Sequence, residues 1–385
     1  MVLVVNIGSS SVKLGLFARE GLASSSTGEP AWESRCDLPE DPAERVNAIR
    51  GLLADVPEPE RVTAVGHRVV HGGDRYHEAV RITAAVKHDI ERFASYAPIH
   101  NPLNLFGIEA AEAAFPRAVQ VAVFDTAFHS TLPPEAAIYP GPYEWYERGI
   151  RRYGFHGISH QYCAMRAAEL LQTDVTKLRL ITCHLGSGCS LAAIEYGKSI
   201  DTTMGFTPLD GLMMGTRSGS IDPGIIFHLL RQGTYSVEEL ENVLNHSSGL
   251  LGVSGVSNDM RRVLHAAHHG NARAEMAIAA YVHRVRGQIG AMMAALGGFA
   301  ALVFTGGVGE NSPEIRARIC DRLRSAGIEV DAERNESLHG DGEISASGRA
   351  WRVLVVRARE EWAVARETAA AECGKSPHST NDLHN

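Results

Sequence analysis

The sequence predicts an α/β fold with two similar lobes. Three short apolar runs, residues 2–5, 178–183 and 301–304, each lead into a glycine-rich turn, which is typical of a buried strand followed by a loop. Helical patterns lie between and after these runs, and strands that alternate with helices indicate an α/β protein. When Gly8 is aligned with Gly186, residues 12–17 and 190–195 both continue as apolar returning strands. This weak internal repeat predicts that each lobe offers one such loop to a shared cleft.

The remaining elements follow from periodicity and caps. The run 119–124 predicts a further strand. The residues Asn311-Ser312-Pro313-Glu314 supply a cap, an early proline and an acid, which together mark a helix start. The polar end of the chain, 374–385, is expected to be disordered. Helical patterns cover residues 104–114, 160–171, 236–244, 272–296 and 312–326.

Composition excludes several classes of protein. A net charge of −8 argues against a nucleic-acid surface, which needs clustered basic charge. The six cysteines form no CxxC pair, which indicates reduced thiols in the cytoplasm rather than disulfides or a zinc site. Residues 1–17 are broken by Asn6 and a serine run, so they do not form a signal peptide. The uncharged run 287–309 is expected to end a helix, turn at Gly297-Gly298 and form the strand 300–304, and no membrane span is predicted.

The glycine-rich turns suit phosphate groups. Small residues expose consecutive backbone N–H groups, and serine hydroxyls and Lys13 add donors and positive charge. The alternative is that each turn only closes a hairpin. Gly197-Lys198-Ser199 ends like a P-loop, but Ala192 stands where that motif needs its first glycine, and no GxGxxG sequence follows a strand.

Charged residues and histidines beside glycine or proline complete the candidates. His67 and His71 are spaced like zinc ligands on a helix, but Arg68 occupies the place of the catalytic glutamate, so a metalloprotease is disfavoured. Arg68 itself fits either a structural ion pair or a bidentate anion clamp. Asp125 directly follows a strand, where metal or substrate groups commonly lie, although a solvated turn aspartate is equally compatible.

Taken together, these strings resemble those of acetate kinases from residue 6 to residue 361. The resemblance is carried by residues 6–13, 66–73, 97–105, 123–129, 151–160, 201–223 and 304–316. It implies two duplicated ribonuclease-H-like lobes of the actin-like ATPase type around a nucleotide cleft, with lobes at 1–128 plus 363–385 and at 129–362. It also implies a reversible, direct transfer of the ATP γ-phosphoryl group to acetate, with Mg²⁺ (or Mn²⁺) as the cofactor and ATP or ADP as co-substrate.

The resemblance assigns roles residue by residue. Arg68, Arg217, Asp125 and His156 would act at the reacting groups, and Asn6, Asp125 and Glu360 would serve the magnesium. The first phosphate loop would comprise Asn6, Ser9, Ser11 and Lys13, with His184, Ser187 and Gly188 on the second. The acetate pocket would comprise Arg68, Val70, Ile99, His100, Phe155 and Pro208. The adenosine would contact Asp259, Arg261, Gly307, Val308, Gly309 and Asn311.

Some positions depart from the family pattern and leave alternatives open. Ser187 stands where an asparagine is usual, Ile99 replaces a leucine, and Arg357-Ala-Arg precedes Glu360, so that Glu361 competes with Glu360 for the metal. A propionate or other short-chain acyl kinase is the alternative activity, because one methylene changes discrimination by only about 1 to 3 kcal/mol. An ATP-binding switch protein without a small-molecule acceptor is the rival class. The expected partners are small molecules, with no nucleic acid and no membrane, and the family implies a homodimer.

Overall fold

A computed structural model describes residues 1–8, 11–24, 28–39, 41–97 and 100–374. The strands are β1 Val2–Ile7, β2 Ser11–Phe17, β3 Trp32–Asp37, β4 Ala64–Val69, β5 Val80–Arg81, β6 Val119–Phe124, β7 Arg179–Leu185, β8 Cys189–Glu195, β9 Lys198–Thr202, β10 Ala301–Thr305, β11 Gly342–Glu343 and β12 Arg352–Val355.

The helices alternate with these strands, as the sequence predicts. They are α1 Arg19–Ser24, α2 Pro42–Ala54, α3 Ala84–Arg92, α4 Asn101–Ala114, α5 Pro134–Ala137, α6 Tyr143–Glu147, α7 Gly157–Leu170, α8 Pro223–Arg231, α9 Val237–His246, α10 Gly249–Ser254, α11 Met260–His268, α12 Ala272–Leu296, α13 Gly306–Asn311, α14 Pro313–Asp321, α15 Ala332–Ser337 and α16 Glu360–Glu372. Short 3₁₀ turns lie at Pro59–Arg61, Phe93–Ser95, Ala127–Thr131, Val175–Lys177 and Arg324–Ala326.

The chain divides into two compact units, each built around one six-stranded sheet. The first unit comprises residues 1–130, 157–162 and 359–385, and the second comprises 131–156 and 163–358. These limits differ by a few residues from the predicted lobes, and they assign the first turns of α7 and the start of α16 to the first unit. The lobe boundaries remain a prediction.

The two sheets have the same topology, which confirms the α/β fold and the internal repeat. The first sheet runs β3-β2-β1-β4-β6-β5, and the second, taken in the same sense, runs β9-β8-β7-β10-β12-β11. In each, a three-stranded antiparallel meander adjoins two further strands parallel to its first, and a short antiparallel strand closes the edge. Gly8 and Gly186 both directly follow the first strand of their sheet, as the predicted alignment requires.

Alternation along β1 divides its side chains between two helical layers. Leu3, Val5 and Ile7 pack with residues of α2 and α4 in one core. Because successive side chains point to opposite faces, Val2, Val4 and Asn6 face the other side, where α16 packs on the sheet. A polar residue at the end of an otherwise apolar strand is therefore carried to the α16 face.

Most predicted elements are confirmed with small changes at their ends. The helix 272–296 is found with these bounds and stops at Gly297, which adopts a left-handed φ of 61° before β10. Among the described residues, no helix is long and apolar enough to cross a membrane. None of the six cysteines, all of which are among the described residues, forms a disulfide. The predicted helix 312–326 is shorter, because α14 ends at Asp321 and a 3₁₀ turn follows. Residues 375–385, most of the tail expected to be disordered, lie outside the described residues.

One predicted loop is a helix. The sequence predicts a glycine-rich loop suited to phosphate after β10, but these residues form the short helix α13. Gly306 makes the turn at a φ of 76°, which a residue with a side chain rarely adopts. The Glu310 carboxylate then accepts hydrogen bonds from the Gly306 N–H and the Ala358 N–H, both at 2.9 Å. These bonds connect the first residue of α13 to the segment that follows β12.

Candidate active site

In the first unit, three strand ends bring polar side chains to the α16 face. Along β4, Gly66 and Arg68 share a face, and Gly66 lies against Val364 and Thr368 of α16. Arg68 is therefore carried to the same face as Asn6. Asp125 follows β6 directly, and its N–H donates to the Val69 carbonyl at 2.9 Å, which extends the parallel pairing by one residue.

Arg68 is the centre of an ionic network. Its Nε donates to Asp125 Oδ1 at 3.2 Å, and its Nη2 forms a close ion pair with Asp125 Oδ2. Its Nη1 donates to Asn6 Oδ1 at 3.3 Å. Asn6 in turn donates from Nδ2 to Glu361 Oε1 at 3.0 Å, and Lys13 Nζ lies 3.5 Å from the same oxygen. Both interpretations of Arg68 from the sequence are thus compatible with this geometry, because an arginine paired on one edge retains donors for an anion on another.

The charges in this network act strongly on each other. Burial by itself would lower the pKa of Arg68, but the carboxylates of Asp125, Glu360 and Glu361 raise it above its ordinary value. Burial raises the pKa of Glu360, opposed by Arg68 and reinforced by Asp125 and Glu361. Three carboxylates thus share two cations, Arg68 and Lys13, and a further cation would relieve their repulsion.

The polar residues at the strand ends of the first unit include oxygen atoms that could hold a divalent cation. Asn6, Asp125 and Glu360 supply only oxygen donors, which Mg²⁺ prefers. Within the described ranges, no group of three or more His, Cys, Asp or Glu side chains is arranged to hold a metal. Mg²⁺ typically uses one or two carboxylates together with water and substrate phosphates.

The second unit gathers nitrogen donors around the turn after β7. The rings of His156 and His184 are stacked, with centroids 4.2 Å apart, and His156 Nδ1 lies 2.9 Å from Ser190 Oγ. A Cβ added to Gly188 would lie 3.2 Å from His156 Nε2 and 3.5 Å from Arg217 Nη1. Glycine at this position therefore lets an imidazole and a guanidinium approach the turn backbone.

Arg217 and His156 are both held in defined conformations. Arg217 Nη1 donates to the Pro208 carbonyl oxygen at 3.0 Å, which brings together a predicted catalytic residue and a predicted pocket residue. His156 adopts a left-handed φ of 56° at the start of α7. Such a backbone is uncommon for a residue other than glycine and tends to occur at functional sites. The adjacent Phe155 is buried within the same unit.

The other predicted residues are distributed between the units. In the first unit, Ser11 begins β2, Val70 is buried just after β4, and His100 precedes α4. In the second, exposed Ser187 accepts the Gly215 N–H through its carbonyl oxygen at 3.0 Å. Asp259 caps α11 and pairs with the exposed Arg261. The predicted adenosine residues Gly307, Val308, Gly309 and Asn311 lie in α13. Ser9 and Ile99 lie outside the described residues.

Sequence reasoning missed three side chains that organise these clusters. Ser190 orients His156, Glu310 closes the turn into α13, and Asn104 bonds the backbone at the ends of β1 and β4. Ser190 and Asn104 are polar residues in apolar runs, and Glu310 is an acid in a glycine-rich string, but none of these signals says which atoms the side chain meets.

The fold and these clusters define a class of protein. Two copies of one sheet topology, each with a glycine turn after its first strand, are characteristic of the actin-like ATPase fold. A model of the acetokinase family matches residues 40–366. The chain belongs to the acetokinase family.

Named relatives agree with this assignment. An acetate kinase from Gloeobacter violaceus is 50% identical, with 95% of this chain and 98% of the relative covered. An acetate kinase from a Cyanothece species is 51% identical, with 95% and 97% covered. Among solved structures, the Porphyromonas gingivalis acetate kinase has a TM-score of 0.86 at 40% identity, with 96% of this chain and 99% of that chain covered. A propionate kinase from Francisella tularensis also has a TM-score of 0.86, at 39% identity, with 95% and 98% covered.

Proposed function

We propose that this chain transfers the γ-phosphoryl group of ATP to acetate, giving acetyl phosphate and ADP, and that it catalyses the reverse reaction. Membership of the acetokinase family makes the chain a phosphotransferase with a carboxyl acceptor. The observation that carries the proposal for this particular site is the ion pair of Arg68 with the buried Asp125, beside Asn6 and the Glu360-Glu361 pair. This arrangement suits a reaction between two anions, since it combines an arginine clamp with oxygen ligands for a divalent cation.

The acceptor explains why the site holds arginines rather than a nucleophile and a base. The pKa of acetate, about 4 to 5, is close to those of aspartate and glutamate. Acetate is therefore ionised at neutral pH and needs no general base. The difficulty lies in bringing it to an anionic phosphate and in stabilising charge on the equatorial oxygens in the transition state. We assign this stabilisation to Arg68 and Arg217, with His156 at the transferring group.

The remaining roles follow the same chemistry. Asn6, Asp125 and Glu360 would hold Mg²⁺, which supplies positive charge to the nucleotide phosphate oxygens when bound. The first phosphate loop comprises Asn6, Ser9, Ser11 and Lys13, and the second comprises His184, Ser187 and Gly188. By resemblance to the family, we assign Val70, Ile99, Phe155 and Pro208 to the acetate methyl, together with His100. The adenosine contacts Asp259, Arg261, Gly307, Val308, Gly309 and Asn311.

A panel of acyl substrates tests the proposed activity. With Mg-ATP, we expect acetate-dependent release of ADP and a higher kcat/KM for acetate than for propionate or butyrate. A preference for propionate would favour the second candidate, a propionate kinase, which is supported by the similarity to the Francisella tularensis structure. ATP binding without any acyl-dependent release of ADP would favour a switch protein of the same fold and would contradict the proposal.

Stereochemistry tests the direct transfer. A single in-line displacement inverts the configuration of a chiral γ-phosphate, and we expect inversion because an ionised acceptor does not require a phosphorylated intermediate. Net retention would instead indicate two transfers through a side chain such as His156.

The proposal extends to assembly and location. We propose a homodimer formed through α8 and α9, where Ile225, Phe227 and Val237 are exposed apolar side chains. In α8, an apolar helix, no residue is buried, and exposed apolar patches of this kind are typical of interaction sites. A cytoplasmic location rests on the six cysteines, none of which forms a disulfide. Light scattering of the purified chain measures the oligomeric state, and a monomer that persists at micromolar concentration would contradict the dimer.

A further inference from the structure

A buried amide joins the ends of β1 and β4 where their own pairing stops. The parallel register between these strands ends at Val5 and His67. Beyond that point, Asn104 of α4 accepts the Val70 N–H on Oδ1 at 3.1 Å and donates from Nδ2 to the Ile7 carbonyl at 3.2 Å. The amide thus connects two strand ends that no longer bond to each other through this register.

These two strand ends carry reacting-site side chains. Ile7 directly follows Asn6, and Val70 lies two residues after Arg68. Asn6 and Arg68 meet through a hydrogen bond of 3.3 Å between Oδ1 and Nη1. The distance between the Ile7 and Val70 backbones, which Asn104 bridges, therefore determines whether the Asn6 and Arg68 side chains can reach each other.

The helix that carries Asn104 is held tightly against β1. Asn104 is only 3% exposed. A Cβ placed on Gly107, one turn further along α4, would lie 2.2 Å from Ile7 Cδ1. The helix can approach the strand end this closely only because glycine occupies that position, so the amide has little room to adjust.

We propose that Asn104 is a positioning residue for phosphoryl transfer: it fixes the separation of the β1 and β4 ends and thereby the contact between Asn6 and Arg68. The inference rests on the proposed function, because it assigns Asn6 and Arg68 to the reacting centre. It goes beyond the roles assigned above, because those concern groups at the reacting centre, whereas the hydrogen bonds described for Asn104 are to backbone groups.

The same helix provides a matched control. Asn101, fully buried one turn earlier, accepts the His71 N–H at 3.1 Å and donates to the carbonyls of His71 and Ile90. Asn101 therefore makes the same kind of bonds without reaching β1. Replacing either asparagine by leucine leaves buried backbone groups unpaired, so both changes are expected to lower stability.

The experiment compares Asn104→Leu with Asn101→Leu in the full chain. We measure the free energy of unfolding, the Kd for ADP, and kcat and KM with the acyl acceptor that the unmodified chain uses best. Misplacing a reacting group by about 1 Å can lower a rate by roughly 10²-fold. We expect Asn104→Leu to lower kcat by about tenfold to a hundredfold with little change in ADP affinity, and Asn101→Leu to lower stability with a much smaller loss of kcat.

A double variant tests whether Asn104 acts through Arg68. If it does, Arg68→Lys should lower kcat by a smaller factor in the Asn104→Leu background than in the unmodified chain, because coupled sites are not additive. The proposal would be overturned if the fold-loss of kcat in the double variant equalled the product of the two single losses. Equal kcat values for Asn104→Leu and Asn101→Leu would also overturn it. If Asn104→Leu does not fold, Asn104→Asp, which keeps the volume and the acceptor for Val70 but loses the donor to Ile7, is compared with Asn101→Asp by the same criteria. Acetate-dependent turnover of the unmodified chain tests the proposed function separately from these ratios.

Discussion

The two units present different chemistry at equivalent places in one sheet topology. In the first unit, Arg68 pairs with Asp125 and bonds Asn6, next to the carboxylates of Glu360 and Glu361. In the second, the turn after β7 meets the stacked rings of His156 and His184 and the guanidinium of Arg217. The duplicated sheet topology provides equivalent strand ends, and the residues that other segments bring to them decide what each can bind.

This difference indicates that the two clusters bind different chemical groups. Asp125 and Glu360 supply carboxylate oxygens, the ligands that Mg²⁺ prefers, whereas imidazole and guanidinium donors suit the anionic oxygens of a transferring group. The two clusters should therefore respond differently to substitution and to Mg²⁺, and the first unit has its own response to acid.

The largest expected effect is on turnover when Arg217 is removed from the second cluster. An arginine that stabilises transferring phosphoryl oxygens can contribute roughly 10³- to 10⁵-fold to the rate. We expect Arg217→Ala to lower kcat by about 10³-fold or more and to leave the Kd for ADP largely intact. Steady-state kinetics and calorimetry measure the two quantities, with Arg217→Lys as a control that keeps the charge without the bidentate geometry. Turnover near that of the unmodified chain would remove Arg217 from catalysis.

Acid is expected to act on the first unit through His67. Burial lowers the pKa of His67 to about 4, although its bond to Gln120 favours the charged form. The unfolded chain binds this proton below about pH 6.5, whereas the folded chain binds it only near pH 4. His67 therefore has no effect on stability above pH 6.5, and stability falls by about 3 kcal/mol as the pH drops from 6.5 to 4.

Urea unfolding at several pH values measures this loss. The control is a double variant, His67→Leu with Gln120→Leu, which removes both partners of the buried hydrogen bond and should lose this part of the pH dependence. An equal loss of stability in the variant and the unmodified chain would place the acid sensitivity elsewhere.

Magnesium dependence should distinguish the two adjacent glutamates of the first cluster. Glu361 already accepts a hydrogen bond from Asn6 and lies 3.5 Å from Lys13 Nζ. Glu360 is instead influenced by the charges of Arg68, which lowers its pKa, and Asp125, which raises it. We expect Glu360→Gln, which removes a proposed ligand, to raise the Mg²⁺ concentration for half-maximal activity by at least about tenfold, because losing only a partner of a ligand already lowers metal affinity by roughly 10- to 100-fold. Glu361→Gln should have a smaller effect. The reverse order in a Mg²⁺ titration would assign the metal to Glu361.

The smallest expected effect comes from one methyl group in the second cluster. In Gly188→Ala, the new Cβ would lie 3.2 Å from the His156 ring, so the ring has to move. We expect kcat to fall about tenfold. Gly290→Ala is the control, because this position in α12 has open space around it and alanine favours a helix by up to about 1 kcal/mol. It should leave kcat unchanged, and equal kcat values for the two variants would show that the Gly188 contact is unimportant.

Much of the fold could be predicted because its signals are local. The bounds 272–296 for α12 follow from a helical pattern that ends at Gly297-Gly298, and β6 follows from an apolar run. The helix α13 was missed because it depends on Glu310, whose carboxylate accepts N–H groups from both Gly306 and Ala358. A run of glycines has no helical preference of its own, and the bond from Ala358 joins Glu310 to a segment far along the chain, so no local pattern predicts it.

The site was predictable in its members and not in its contacts. The sequence by itself determined the main strands, the glycine-rich strings and the residue types that resemble an acetate kinase, since each lies in a short string. Only the tertiary structure decided that Arg68 meets both Asp125 and Asn6, that Glu361 bonds Asn6, and that Asn104 joins two strand ends. These contacts depend on the register of parallel strands and on the seating of α4 and α16, which are set by packing across distant segments and carry no local signature.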